Sequence, residues 1–259
     1  YEITSLFTKS AYDIRLQTEA IGRVLRERPD YLVFTLDALR HKGMISRVLA
    51  SGETRVILQN ITTPLKDLGP PSPMLYVGFD HELGTRILTD EKFAIFYGPV
   101  GYVSQMRGGT FRKSIEDRTD FDLVGEYYVG FDRARARAAA LELLQKVPDL
   151  SFIYAASTDI AHGVADAIEE RGLRGKVMVN GWGGGSSELE AIQKGEIDFT
   201  VMRMNDDNGI AMAEAIRLVL EGKSEEVPMV YSGSFALVDQ QTSDATLERL
   251  IDRAFRYSR

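Results

Sequence analysis

Apolar positions along the chain switch repeatedly between two spacings. Short runs rich in β-branched and aromatic residues predict strands at 1–7, 31–36, 55–59, 75–79, 92–97, 121–128, 151–156, 176–179, 197–202 and 229–237. Between them, apolar residues recur at helical spacing. Ile14, Ala20, Ile21, Val24 and Leu25 mark a helix over 13–28. Further helices are predicted at 44–49, 82–88, 106–115, 133–147, 160–171, 186–194, 209–220 and 245–257. The proline-rich passage 64–73 predicts an irregular connection. The helical stripes are what core packing alone requires.

Strand and helix alternate almost without interruption, which argues for parallel sheets covered by helices on both faces. The expected fold class is therefore α/β. Two irregularities stand out. A doubly wound lobe of order 2-1-3-4-5 needs a central first strand, and with 1–7 read as the second strand that neighbour is not in the sequence. The helix ending near Asp90 also meets the strand at Lys92 with almost no connection, whereas αβ loops usually take about 2–6 residues. Omitted segments at both places are the expectation.

Composition narrows the function classes. The chain has 259 residues, enough for one large domain or two lobes, and 38 acidic against 31 basic side chains. No basic run is long enough for a nucleic-acid surface, so no nucleic-acid partner is expected. Cysteine is absent, which excludes disulfides and thiol chemistry. No apolar run approaches the roughly 18 residues of a membrane span, so no direct membrane insertion is expected. No signal peptide is present, which predicts a cytosolic chain or one given in mature form.

The stretch 180–207 carries the most chemistry. A strand at 176–179 runs into Asn180-Gly-Trp-Gly-Gly-Gly185, which places the only tryptophan, Trp182, on a glycine-rich loop. A short helix follows, with Ser186 or Ser187 as N-cap and Glu188 or Glu190 in its first turn. The strand 197–202 then delivers Arg203. Ligands in parallel α/β sheets sit beyond the carboxyl ends of the strands, where Trp182 and Arg203 both fall. Each candidate also has a plainer role. Trp182 can be core; Arg203 can pair with Asp206 or Asp207; Arg107 can be a surface arginine. Asn60 and Thr158 can be a turn residue and a helix cap, and Asp37 ranks below them.

Signals for catalysis are poor. His41, His81 and His162 form no metal-spaced pair, and no metal site is expected. Ser157, Asp159 and His162 lie close in sequence, but a triad is a matter of geometry. Gly183-Gly-Gly-Ser lacks the lysine of a phosphate-binding loop. No enzyme is expected.

Several long phrases carry a resemblance: DYLVFTLDAL at 30–39, ILQNITTP at 57–64, YVGFDH at 76–81, NGWGGG at 180–185, TVMRMNDD at 200–207, GIAMAEAI at 209–216 and AFRYS at 254–258. With these the chain resembles the ribose-type periplasmic binding proteins, and within them the autoinducer-2 receptors. The resemblance implies two doubly wound parallel-sheet lobes joined by a three-crossover hinge, with crossovers near 78–81, 204–208 and 231–234. Lobe one would hold 1–80 plus 205–232, and lobe two 81–204 plus 233–259. It implies a periplasmic location, no cofactor, and a furanosyl borate diester as ligand. The implied ligand-binding residues are Asn60, Arg107, Ser157, Thr158, Trp182 and Arg203. The implied partner is the periplasmic domain of a LuxQ-like sensor histidine kinase. Two alternatives stand beside it: a pentose- or sugar-binding protein of an ABC transporter, which keeps the fold and changes the job, and, from another class, the effector domain of a LacI-like transcription regulator.

These residue types suit such a ligand. An oxygen-rich anion must exchange its hydration shell for protein donors. Arg107 and Arg203 keep their charge and present donors in a planar fork, so the two are expected to flank the borate. Asn60 matches hydroxyl and ether oxygens, and Thr158 sits beside free helix N–H groups. Trp182 offers a ring face or an indole N–H.

Overall fold

The computed structural model describes residues 3–6, 14–35, 41–59, 65, 68, 72–79, 91–116 and 121–257. The chain divides into two compact units, one of Tyr1–Gly78 with Ile210–Ser232 and one of Phe79–Gly209 with Gly233–Arg259.

The first unit is built on strands β1 (Tyr31–Thr35), β2 (Arg55–Gln59), β3 (Leu75–Phe79) and β9 (Val230–Gly233), in that order across the sheet. β1, β2 and β3 run parallel. Ile57, Leu75 and Val77 bury one patch of the sheet with Ala215 of helix α8 (Asn205–Leu220). Helix α1 spans Ile14–Arg26. Helix α2 (Lys42–Ser51) buries Ile45, Val48 and Leu49 and stops at Gly52, whose φ of 67° ends the helix in the left-handed region.

The second unit holds a six-stranded sheet of order β10-β8-β7-β6-β4-β5. Its strands are β4 (Glu91–Tyr97), β5 (Phe121–Tyr128), β6 (Phe152–Ala155), β7 (Met178–Gly183), β8 (Phe199–Arg203) and β10 (Phe235–Asp239). The pairs among β4 to β8 are parallel, and β10 runs antiparallel to β8. β6 lies inside the sheet and reads Phe-Ile-Tyr-Ala, buried at every position. Helices α5 (Arg133–Lys146) and α6 (Thr158–Glu170) pack closely because Gly163 has no side chain: a Cβ there would stand 2.2 Å from the Arg133 carbonyl oxygen. Asp132, Ser157 and Ser243 cap α5, α6 and α9 (Asp244–Ala254) by accepting the N–H three residues on.

The structure departs from the expected elements at definite places. Residues 3–6 form no strand, and Ile3 and Leu6 are 86% and 49% exposed. Alternation without a hydrogen-bonded neighbour does not make a strand. The expected strand 229–237 is two strands in two different sheets, β9 and β10, separated at Ser234. The strand expected at 176–179 continues as β7 to Gly183, so Trp182 lies within a strand and not on a loop. The helix expected at 106–115 is α3 (Tyr102–Ser104), a π turn (Gln105–Gly109) and α4 (Thr110–Ile115) in direct succession. The helix at 82–88 and most of 64–73 lie outside the described residues.

Candidate functional site

Five of the six expected site residues, Arg107, Ser157, Thr158, Trp182 and Arg203, fall in the six-stranded unit, at the carboxyl ends of its central strands or just beyond them. Asn60 and Asp37 lie outside the described residues.

The gathering begins with Asn180. Its side-chain oxygen accepts the Ala155 N–H at 2.9 Å, and its amide donates to the carbonyls of Ala155 (3.0 Å) and Gly181 (3.2 Å). A buried side chain thus continues the link between β6 and β7 beyond the last ladder pair, Ile153 with Val179. Two residues on, Trp182 is 2% exposed and held on every side. Its N–H reaches Glu188 at 2.9 Å, its carbonyl accepts the Thr158 hydroxyl at 3.1 Å, and its indole N–H reaches the Tyr154 hydroxyl at 2.7 Å. The Phe235 ring meets the indole edge to face at 5.7 Å. Burial pushes the Tyr154 phenol pKa up, and that ring stacks on Phe111 at 4.3 Å. The indole is therefore core, and its N–H is engaged inside the protein. The sequence-based expectation of an indole offered to the ligand is corrected on that ground.

Arg107 lies in the π turn and is 6% exposed, not a surface arginine. Its guanidinium stands 4.6 Å from the Trp182 ring centroid, a cation–π contact, and donates to the Ala156 carbonyl at 2.8 Å. The turn is pressed home by the next residue: a Cβ on Gly108 would collide with the Tyr97 ring at 2.2 Å. π turns often mark functional positions, and this one faces an arginine inward.

Arg203 closes β8, opposite Phe235 of β10. Its guanidinium lies beside Gly183, where a Cβ would meet Nη2 at 3.8 Å and the Thr158 hydroxyl at 3.4 Å. Burial pushes the Arg203 pKa down and Glu188 acts in the opposite direction, yet a guanidinium keeps its proton. Asp207, a neighbour in sequence, is taken by Arg253 at 2.5 Å and Arg256 at 3.5 Å, while Asp206 accepts the Tyr257 N–H at 2.6 Å.

Ser157 caps α6 by accepting the Ile160 N–H at 3.4 Å. His162 meets Ser187 at 3.2 Å, so Ser157, Asp159 and His162 form no relay. Ser187 does not cap α7 (Ser186–Gln193), and neither does Ser186; the N-cap is Gly185, without a side-chain bond. Among the described residues no group of three or more His, Asp or Glu is placed to hold a metal ion. Among them, too, no helix is long and apolar enough to cross a membrane.

Sequence reasoning missed Glu188, Asn180 and Tyr154 as parts of this cluster. Glu188 had the one usable signal. It is the third residue of α7, where a capping-box carboxylate turns back toward the chain preceding the helix.

A family described as "Periplasmic binding protein domain" matches residues 81–224. The D-allose-binding periplasmic protein of Escherichia coli K12 is 28% identical over 149 residues, which is 56% of this chain and 47% of that protein. The ribose import binding protein RbsB of Salmonella typhimurium is 27% identical over 135 residues, 52% of this chain and 44% of that protein. The chain spans about half the length of the curated relatives it matches. Among solved structures, an Agrobacterium vitis ABC transporter solute binding protein with bound D-fucose superposes with a TM-score of 0.82. It is 20% identical and covers 94% of this chain and 86% of its own. The fructose binding periplasmic domain of the hybrid two component system BT1754 gives 0.80 at 20% identity, covering 92% and 80%.

Proposed function

The chain belongs to the periplasmic binding protein family, a family of binding proteins and not of enzymes, with its type I α/β fold, and from that premise we propose a periplasmic receptor for a small hydroxyl-rich ligand of the sugar class. Delivery to an ABC importer is the associated role. The observation that carries this reading is the gathering of Arg107, Thr158 and Arg203 around the buried Trp182–Gly183 end of β7, inside the segment that matches the family. Donors fixed by the fold replace the water that a polyol must give up. No cofactor is required for such a role.

One observation favours a narrower reading. Two guanidiniums, those of Arg107 and Arg203, belong to the same cluster around β7, and a neutral sugar needs fewer cations. A compact anion with many oxygens uses both: Arg203 as a donor, and Arg107 as a buried positive charge held against the Trp182 ring. The furanosyl borate diester form of autoinducer-2 has that chemistry, and the phrases 57–64, 180–185 and 200–207 resemble its LuxP receptor. The partner in that case is the periplasmic domain of a LuxQ-like sensor histidine kinase.

Calorimetric titration decides between the two readings. D-allose and D-ribose on one side, and autoinducer-2 with and without borate on the other, are titrated into the same protein. Binding of a sugar with no effect of borate supports the importer reading. Borate-dependent binding of autoinducer-2 that falls at least tenfold, about 1.4 kcal/mol, in Arg203→Ala supports the second. The thermal midpoint of that variant should stay nearly unchanged. If none of these ligands binds, both readings fall.

A further inference from the structure

The candidate ligand groups are cations and hydroxyls, yet a carboxylate with three hydrogen bonds lies among them. Glu188 is fully buried at the start of α7. Its Oε1 accepts the Trp182 N–H at 2.9 Å. Its Oε2 accepts the Gly184 N–H at 2.8 Å and the Thr200 hydroxyl at 2.6 Å. The two amides flank Gly183, whose φ of 136° suits glycine and whose open face lies toward the Thr158 hydroxyl and the Arg203 guanidinium. Room for the carboxylate is made by another glycine, since a Cβ on Gly181 would stand 2.8 Å from it. Thr200 ties the same carboxylate to β8, three residues before Arg203. One side chain therefore holds the peptides on both sides of Gly183 and the strand that presents Arg203.

We propose that Glu188 is the positioning residue of the ligand site: its carboxylate fixes the end of β7 and keeps the Arg203 guanidinium where it meets an oxygen-rich ligand. The proposal rests on the receptor reading above. Its electrostatic part has support of its own. Burial works against the charge of Arg203, and Glu188 is the group that offsets it. A carboxylate that merely stapled the fold would matter equally with or without the arginine.

The test uses the full chain, with the isosteric Glu188→Gln alone, Arg203→Ala alone, and the two combined. The first readout needs no ligand. In arginine side-chain NMR spectra, the Nε–H signal that disappears in Arg203→Ala should be resolved in the unaltered protein and should move into the solvent-averaged group in Glu188→Gln. An unmoved signal overturns the proposal. The second readout is titration with D-allose, D-ribose and borate-loaded autoinducer-2. Glu188→Gln should weaken binding at least tenfold, but less than threefold when Arg203 is already alanine. Losses that multiply independently overturn the proposal. If no probe binds the unaltered protein, the receptor reading fails and the arginine spectrum alone decides the positioning role. Should Glu188→Gln not fold, Thr200→Val removes only the hydroxyl donor to Oε2, leaving the Gly184 N–H, and must shift the same arginine signal; no shift overturns the proposal.

Discussion

Two groups of charged side chains in the six-stranded unit use the same chemistry in opposite surroundings. Along the outer seam between α5 and α6, Arg133 holds Asp166 through two bonds of 2.7 and 2.8 Å, and Arg137 holds Glu170. Both pairs stand substantially in water. Inside, Glu188 accepts from two backbone amides and one hydroxyl with no solvent at all. Geometry at the seam is as good as in the interior. What differs is the state that replaces each contact when it is lost. At the seam water takes over; inside, three buried donors are left with nothing.

Three substitutions break or sharpen that contrast. Glu188→Ala should destabilise the protein by about 3 kcal/mol or more, read from denaturant midpoints, because each orphaned buried donor costs about 1–3 kcal/mol. A loss near zero would mean that water enters the site. An intermediate case is Asp198, which accepts the Val179 N–H at 2.7 Å and whose pKa is pushed up by burial against that bond. The native state then holds the proton more tightly than the unfolded chain. Its contribution therefore weakens as pH rises from the ordinary value near 3.8 through the raised native one. Asp198→Asn removes that dependence, so the unaltered protein should gain on the variant in thermal midpoint as pH falls from about 7 to about 4. A constant difference would remove Asp198 as the cause. The smallest effect belongs to the seam: Arg133→Ala should cost less than about 1 kcal/mol, and less still in high salt.

The contrast also explains what could be read in advance. Strand and helix positions follow from apolar period, which is why β2, β3 and β5 fall at their expected bounds. Pairing does not follow from period. Residues 3–6 alternate like a strand and form none, while 229–237 reads as one strand and serves two sheets. Arg203 at the end of β8 and Thr158 at the start of α6 were legible from sequence because residue type and position suffice there. The setting of Trp182 was not. Its glycines read as punctuation of a loop, but in the fold they make space: Gly181 for the Glu188 carboxylate, and Gly184 for Met202, which a Cβ would meet at 2.4 Å. That role depends on partners seven and eighteen residues away, and a glutamate in the first turn of a short helix gives little hint of it.

The solitary indole has a practical consequence. It is the chain's only tryptophan, so selectively excited emission comes from one address, boxed between a guanidinium, a phenol and a phenyl ring. The molecule thus contains its own optical reporter, seated one residue from the glycine that faces Arg203. No dye or label is needed to watch that spot.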